Sequence, residues 1–353
     1  MIRLTTMAAM GMALWRCRRC YLLPALIGMC ALAIAPASAQ PTVAEFESYR
    51  TSIEAAVRAV GDHPRLRALP PKKREEIVEF VSGNLLFTLL HELAHAAINQ
   101  FDLPVLGKEE DAADSFAATR LIRIGSEFSD QVVVSAARSW FLMDRRDRKE
   151  GETVPYYDEH GLDQQRAYQI VCFVVGSNAS KFKKLADETN LPDDRRASCA
   201  NESRAAMKSW DSLLKPHIRG SDQPPTKIDV IYGQAEGRPA LTAQISREIN
   251  LLEHVAHHAS ELLAWPAPLT LEMRTCGSPN AEWVPSQHKL TLCYELGPDL
   301  ADLYRTFGDA QPRSARHENR SKLKCTAGIV TRALRTSPGC RRSNPSALRA
   351  KHQ

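Results

Sequence analysis

Residues 91–95 read His91-Glu92-Leu93-Ala94-His95, two imidazoles four positions apart with a carboxylate beside the first. On a helix, positions i and i+4 project from one face, so both rings can reach a single ion at about 2.0–2.1 Å, the usual zinc–nitrogen length. Glu92 is then placed to take a proton from water held by the ion. The flanks, Thr88-Leu89-Leu90 and Ala96-Ala97, are uncharged, as expected of a helix that carries ligands inside a domain. The competing picture is a surface helix with unrelated histidines. Polar groups buried in so apolar a helix cost several kcal/mol unless they are paired or liganded, which weighs against it.

A catalytic zinc needs three protein ligands and an open position. The third is expected in Lys108-Glu109-Glu110-Asp111-Ala112-Ala113-Asp114. Glu110 and Asp114 share a helical face, so Glu110 can bind the metal while Asp114 accepts the free N–H of a ligand histidine and fixes its tautomer. Glu109 is the rival ligand, but its i+4 neighbour is Ala113, which orients nothing. A solvated helix start, where carboxylates favour the N-terminal dipole, is the plain alternative for the acid cluster. The resulting expectation is a one-ion Zn²⁺ hydrolase with ligands His91, His95 and Glu110. Glu92 acts as general base and then passes the proton to the leaving amine. No Gly-x-Ser-x-Gly elbow or phosphate loop competes with this chemistry.

The pair HELAH and EDAAD resembles the gluzincin pattern HExxH…ExxxD of thermolysin-like zinc peptidases. More closely, LLFTLLHELAHAAINQFDLPVLGKEEDAADSFA is similar to a bacterial family of metallopeptidases to which no substrate is attached. YYDEHGLDQQRAYQIVCFVVGS and CGSPNAEWVPSQHKLTLCYEL resemble it too, so the likeness covers residues 75–300. The resemblance implies a zincin-like fold and peptide or protein substrates. It further implies that Asn280, Ala281 and Trp283 lie on an edge strand that grips the substrate backbone, although such a strand ordinarily precedes HExxH and here follows it. A disulfide-closed hairpin is the plainer reading of that stretch. Gluzincins also supply a Tyr or His to the oxyanion. Among Tyr156, Tyr157 and His160, His160 is the choice here, with a capping or salt-bridged turn as its alternative. Arg166 either serves the same site or pairs with Glu159 or Asp163. The histidines of Glu253-His254-Val255-Ala256-His257-His258 have no matching carboxylate downstream and read as a polar helix face.

The elements that must position these groups follow from periodicity. Val43, Phe46, Tyr49, Ile53 and Val57 mark a first helix. Lys72–Asn99 is a long one, turning apolar all round from Leu85 and therefore buried. Helices are expected at Glu109–Ile124, Ser126–Arg148, Leu162–Val175, Cys199–Leu214 and Thr242–Leu263, with strands at Lys227–Tyr232, Leu269–Arg274 and Lys289–Tyr294. The fold class expected is α+β, a helix-rich zincin-like domain with a small C-terminal antiparallel sheet. The helical zinc-binding part spans 40–223, and an α/β part with the edge-strand hairpin spans 224–311.

Arg3, Arg16, Arg18 and Arg19 precede an apolar stretch from Tyr21 to Ala35 and then Ala37-Ser38-Ala39. This is the pattern of a cleavable signal peptide over 1–39, with Gln40 the mature N-terminus and an uncleaved anchor as the alternative. The protein is therefore expected to be exported, periplasmic or secreted, with no other segment long and apolar enough to span a bilayer. Net charge is +5; residues 1–39 contribute +4 and 312–353 contribute +10, leaving −9 for the body between. An acidic body argues against nucleic acid as its partner. The basic tail, 312–353, has the composition of a disordered segment. With three cysteines in the leader, six remain, and sequence neighbours pair as Cys172–Cys199, Cys276–Cys293 and Cys325–Cys340. The alternatives to a peptidase are an exported zinc-binding or assembly protein and a zinc hydrolase of a non-peptide amide.

Overall fold

The computed structural model describes residues 43–308 except Asp62, Val154 and Pro155, with backbone alone over 43–50. The expected leader (1–39), the tail (312–353) and the Cys325–Cys340 pairing lie outside the described residues. Chain order gives α1 (Val43–Ala59), α2 (Pro71–Gln100), α3 (Glu109–Ile124), α4 (Glu127–Glu150), α5 (Asp163–Ser177), α6 (Lys183–Glu188) and α7 (Asp193–Leu214). These are followed by β1 (Ile228–Tyr232), α8 (Ala240–Glu248), α9 (Leu251–Leu262), β2 (Leu269–Arg274), β3 (Ala281–Val284), β4 (Lys289–Cys293) and α10 (Leu296–Phe307).

The helix α2 organises the rest. Pro71 occupies its first position, where a fixed φ and a missing N–H do no harm. From Ile77 to Ile98 almost every side chain is buried, including Leu85, Leu89 and Leu93 along one face. Contrary to the expectation of no further span-length segment, α2 is long and apolar enough to cross a membrane. Yet 89% of its apolar window is buried inside the protein, as in a soluble core helix. It is enclosed by α3, α4 and α10 and by the β3–β4 side of the sheet. Side chains from both the helical stretch and the C-terminal stretch join one apolar core.

Turn chemistry sets the neighbours of α2. Gly125 ends α3 in the left-handed region at φ 64°, and Ser126 then caps α4 by accepting the Ser129 N–H at 3.0 Å. The α5 and α7 backbones approach so closely that a Cβ on Gly176 would lie 2.1 Å from the Cys199 carbonyl oxygen. The Cys172–Cys199 disulfide fastens the same contact, and Cys276–Cys293 joins the ends of two strands.

The sheet corrects one expectation. Its order is β1-β2-β4-β3, and β2 pairs in parallel with both β1 and β4; the β3–β4 pair alone is antiparallel. It is a mixed sheet rather than an antiparallel one. The Cys276–Cys293 disulfide fits the parallel pairing, because Arg274, two residues before Cys276, stands beside Cys293. The helix expected at 242–263 is two helices, broken by Asn250 in the left-handed region at φ 48°. The short α6 and the amphipathic α10 are additional to the expected elements.

Candidate metal centre

His91 and His95 stand one turn apart on α2, ring centroids 4.9 Å from each other. Each ring directs Nδ1 outward to a carboxylate on α3: His91 to Asp114 Oδ1 at 2.9 Å, His95 to Glu109 Oε1 at 2.7 Å. With each Nδ1–H donating, both Nε2 atoms present lone pairs inward. There they lie 3.2 Å apart and face Glu110, at 3.1 Å from His91 and 3.4 Å from His95. Three donor atoms this close repel one another unless a proton or a cation lies among them. Ligand atoms of a tetrahedral zinc site with bonds of about 2.0–2.1 Å are separated by about 3.4 Å, so this triangle fits a small divalent ion. The group His91, His95 and Glu110 can therefore bind a metal.

The local field agrees. Burial pulls His91 down, but Asp114 and Glu110 outweigh it and leave the imidazole raised. His95 rises to about 9 against its own burial, through Glu110 and Glu109. Although burial opposes it, the facing imidazoles of His160, His91 and His95 hold the Glu110 carboxylate far below its usual range. The two imidazoles are thus embedded in an excess of negative charge that attracts cations.

Glu92 is 7% exposed on the same turn. Burial raises its carboxyl, partly offset by the two histidines and by the N–H of Trp283, which donates to it. That contact brings β3 to the site. The strand is the sheet's edge, and the Asn280 carbonyl accepts the Cys293 N–H at 2.9 Å on the β4 side. Alternation then turns the backbone groups of Ala281 and Trp283 to the free edge, toward α2. The indole of Trp283 donates to Asn99 Oδ1 at 3.3 Å, fastening the strand to the end of α2.

His160 reaches Glu110 with Nε2 at 3.2 Å, while its Nδ1 and backbone N–H both donate to Asp158. Lys108 holds the His160 loop to the start of α3 by donating to the carbonyls of Asp158 and His160. Tyr156 and Tyr157 are 81% and 93% exposed. Of the readings left open for Arg166, neither Glu159 nor Asp163 takes its hydrogen bonds: it clamps Asp114. Among the described residues, the α9 histidines gather no metal-ligand group, and the second donor cluster, Cys276, Cys293 and Glu295, has its cysteines in a disulfide. Sequence reasoning missed Glu109 as a histidine acceptor, because its partner lies across on α2 rather than four residues along its own helix.

The model of a family, DUF4344, whose description reads "Putative metallopeptidase", matches residues 46–214 and 235–330. No curated protein and no solved structure matches the chain.

Proposed function

This chain belongs to the DUF4344 family, and from that membership we propose that it is an exported, zinc-dependent peptidase of gluzincin type, distantly thermolysin-like. His91, His95 and Glu110 are the ligands. When bound, zinc supplies a Lewis acid that polarises the scissile carbonyl and acidifies water. Glu92 takes the proton of the attacking water on a carboxylate oxygen and delivers it to the leaving amine nitrogen as the C–N bond breaks. Burial suits it to that work by bringing its proton affinity closer to that of the water it must deprotonate. His160, tethered by Asp158 and half exposed beside Glu110, donates to the carbonyl oxygen as negative charge builds there. Of the expected strand residues, Asn280 turns its carbonyl to β4 and Trp283 gives its N–H to Glu92, so the backbone of Ala281 and the Trp283 carbonyl are the groups of the β3 edge that would hold an extended peptide by main-chain hydrogen bonds. That edge favours peptides over small non-peptide amides.

The observation that carries this reading is the inward triangle of His91, His95 and Glu110, with the buried Glu92 beside it. Metal analysis of the purified protein, followed by a peptide-library digest of wild type beside Glu92→Gln, tests it. Zinc is expected in both proteins, with cleavage falling at least about 10²-fold in the variant. Cleavage by Glu92→Gln at the wild-type rate would overturn the assignment, and zinc without cleavage in the wild type would favour a binding or assembly protein.

Export is supported by the signal pattern of residues 1–39 and by the two disulfides, which persist in oxidising compartments. N-terminal sequencing of the exported protein should begin at Gln40. A chain that retains Met1 in the membrane fraction would identify an uncleaved anchor.

A further inference from the structure

Asp114 is fully buried, and a lone carboxylate in that position would carry a heavy desolvation cost. Arg166, from α5 and itself 5% exposed, supplies the compensation. Its Nε donates to Oδ2 at 2.7 Å and its Nη2 to Oδ1 at 2.8 Å, a two-pronged clamp that stops the carboxylate from rotating. Oδ1 keeps one more lone pair, and His91 Nδ1 lies on it at 2.9 Å. Behind the clamp, the guanidinium lies 3.7 Å from the ring centre of the half-buried Trp140 on α4, which closes its rear face. The sequence Trp140, Arg166, Asp114, His91 thus runs through four helices and ends at the ligand triangle.

We infer that Arg166 is a positioning residue for the metal: by clamping Asp114 it fixes the tautomer and orientation of His91, and so sets how tightly the centre holds zinc. The inference rests on the metal-centre reading above and extends it by one layer. The fork geometry is the essential property. A lysine would keep the charge but present a single point donor, freeing one carboxylate oxygen and the carboxylate's rotation.

Zinc affinity measured by competition with a chromogenic chelator tests this, with circular dichroism and the melting temperature of the zinc-free form followed in parallel. Arg166→Lys is expected to fold and to lose about 10-fold in zinc affinity, and Asp114→Asn between about 10- and 100-fold. In an Asp114→Asn background, where the clamp has lost its charged partner, Arg166→Met should cost no further affinity, because Arg166 acts through Asp114. This double variant also avoids stranding a buried carboxylate, so it remains informative if Arg166→Met alone fails to fold.

Three results would overturn the inference. One is an Arg166→Lys protein with wild-type zinc affinity whose only change is a lower melting temperature, since a merely structural clamp predicts that. Another is a full additional loss from Arg166→Met in the Asp114→Asn background. A wild-type protein that takes up no zinc refutes the metal-centre reading and the inference with it, whereas the first two results leave that reading standing.

Discussion

Glu109 and Asp114 each orient one imidazole, but in unlike surroundings. The side chain of Asp114 is 1% exposed, whereas that of Glu109 is 48% exposed and competes with solvent. The asymmetry predicts that Glu109→Gln changes zinc affinity by no more than about 3-fold, well below the loss expected for Asp114→Asn, because exposed pairs contribute little. Chelator competition on the two variants checks the order. Asp114 could be read from sequence because it stands four residues beyond Glu110 on one helix. Arg166 was open to several pairings, since a partner 52 residues away leaves no periodic trace. A second prediction concerns His258, whose imidazole is pushed down to about 4 by burial, by Arg120 and by His257. Its folded value lies below the unfolded 6.5, so the unfolded chain binds the proton first. This contribution to stability is intact above pH 6.5 and is lost as pH falls toward 4, amounting to at most about 2 kcal/mol at pH 5. Urea midpoints at pH 7.5 and pH 5 should converge in His258→Asn relative to wild type, and an unchanged gap would remove His258 from the account.

At the scale of elements, helices were more legible than strand partners. Pro71, the apolar run after Leu85 and the Gly125 stop mark α2 and α3 nearly to the residue, because capping and period are local properties. The break at Asn250 escaped notice because asparagine is neither a reliable stop nor excluded from a helix, although it tolerates the left-handed region better than most residues. Strand direction is not local at all: alternation in Leu269–Arg274 says which face is buried, not which way the neighbour runs. Packing at the α5–α7 contact yields a sharp prediction. Gly176→Ala would drive a methyl group into the Cys199 carbonyl, backbone against backbone, and should lower stability by at least about 1–3 kcal/mol. Removal of the adjacent disulfide by Cys172→Ala with Cys199→Ala releases a loop closed across 27 residues and should cost about 3 kcal/mol. Denaturant midpoints measure both. A Gly176→Ala protein as stable as wild type would mean that the two helices are free to separate.

Across the whole molecule, the ligands of the centre come from two helices and their support from two more, so a bound ion would tie α2 to α3 and, through Asp114 and Arg166, to α5. Free zinc at about a thousandfold above its dissociation constant should then add about 4 kcal/mol to the stability of the chain, read as a rise in melting temperature over a chelator-treated sample. The acidic balance of the body was legible from composition, and its meeting of charges at one triangle was not, since that depends on how α3 lies against α2. The apolar length of α2 carries one more consequence. On the export route proposed above, the chain would offer Pro71–Gln100 to the lipid before any core exists to receive it. Its half-way hydropathy leaves the decision to Asn84, His91, Glu92 and His95, since a single acidic or basic group mid-segment disfavours lateral release by about 3 kcal/mol. With leucine at 91, 92 and 95, the same helix should halt in the bilayer and turn a passenger into an anchor, which carbonate extraction of membranes would detect.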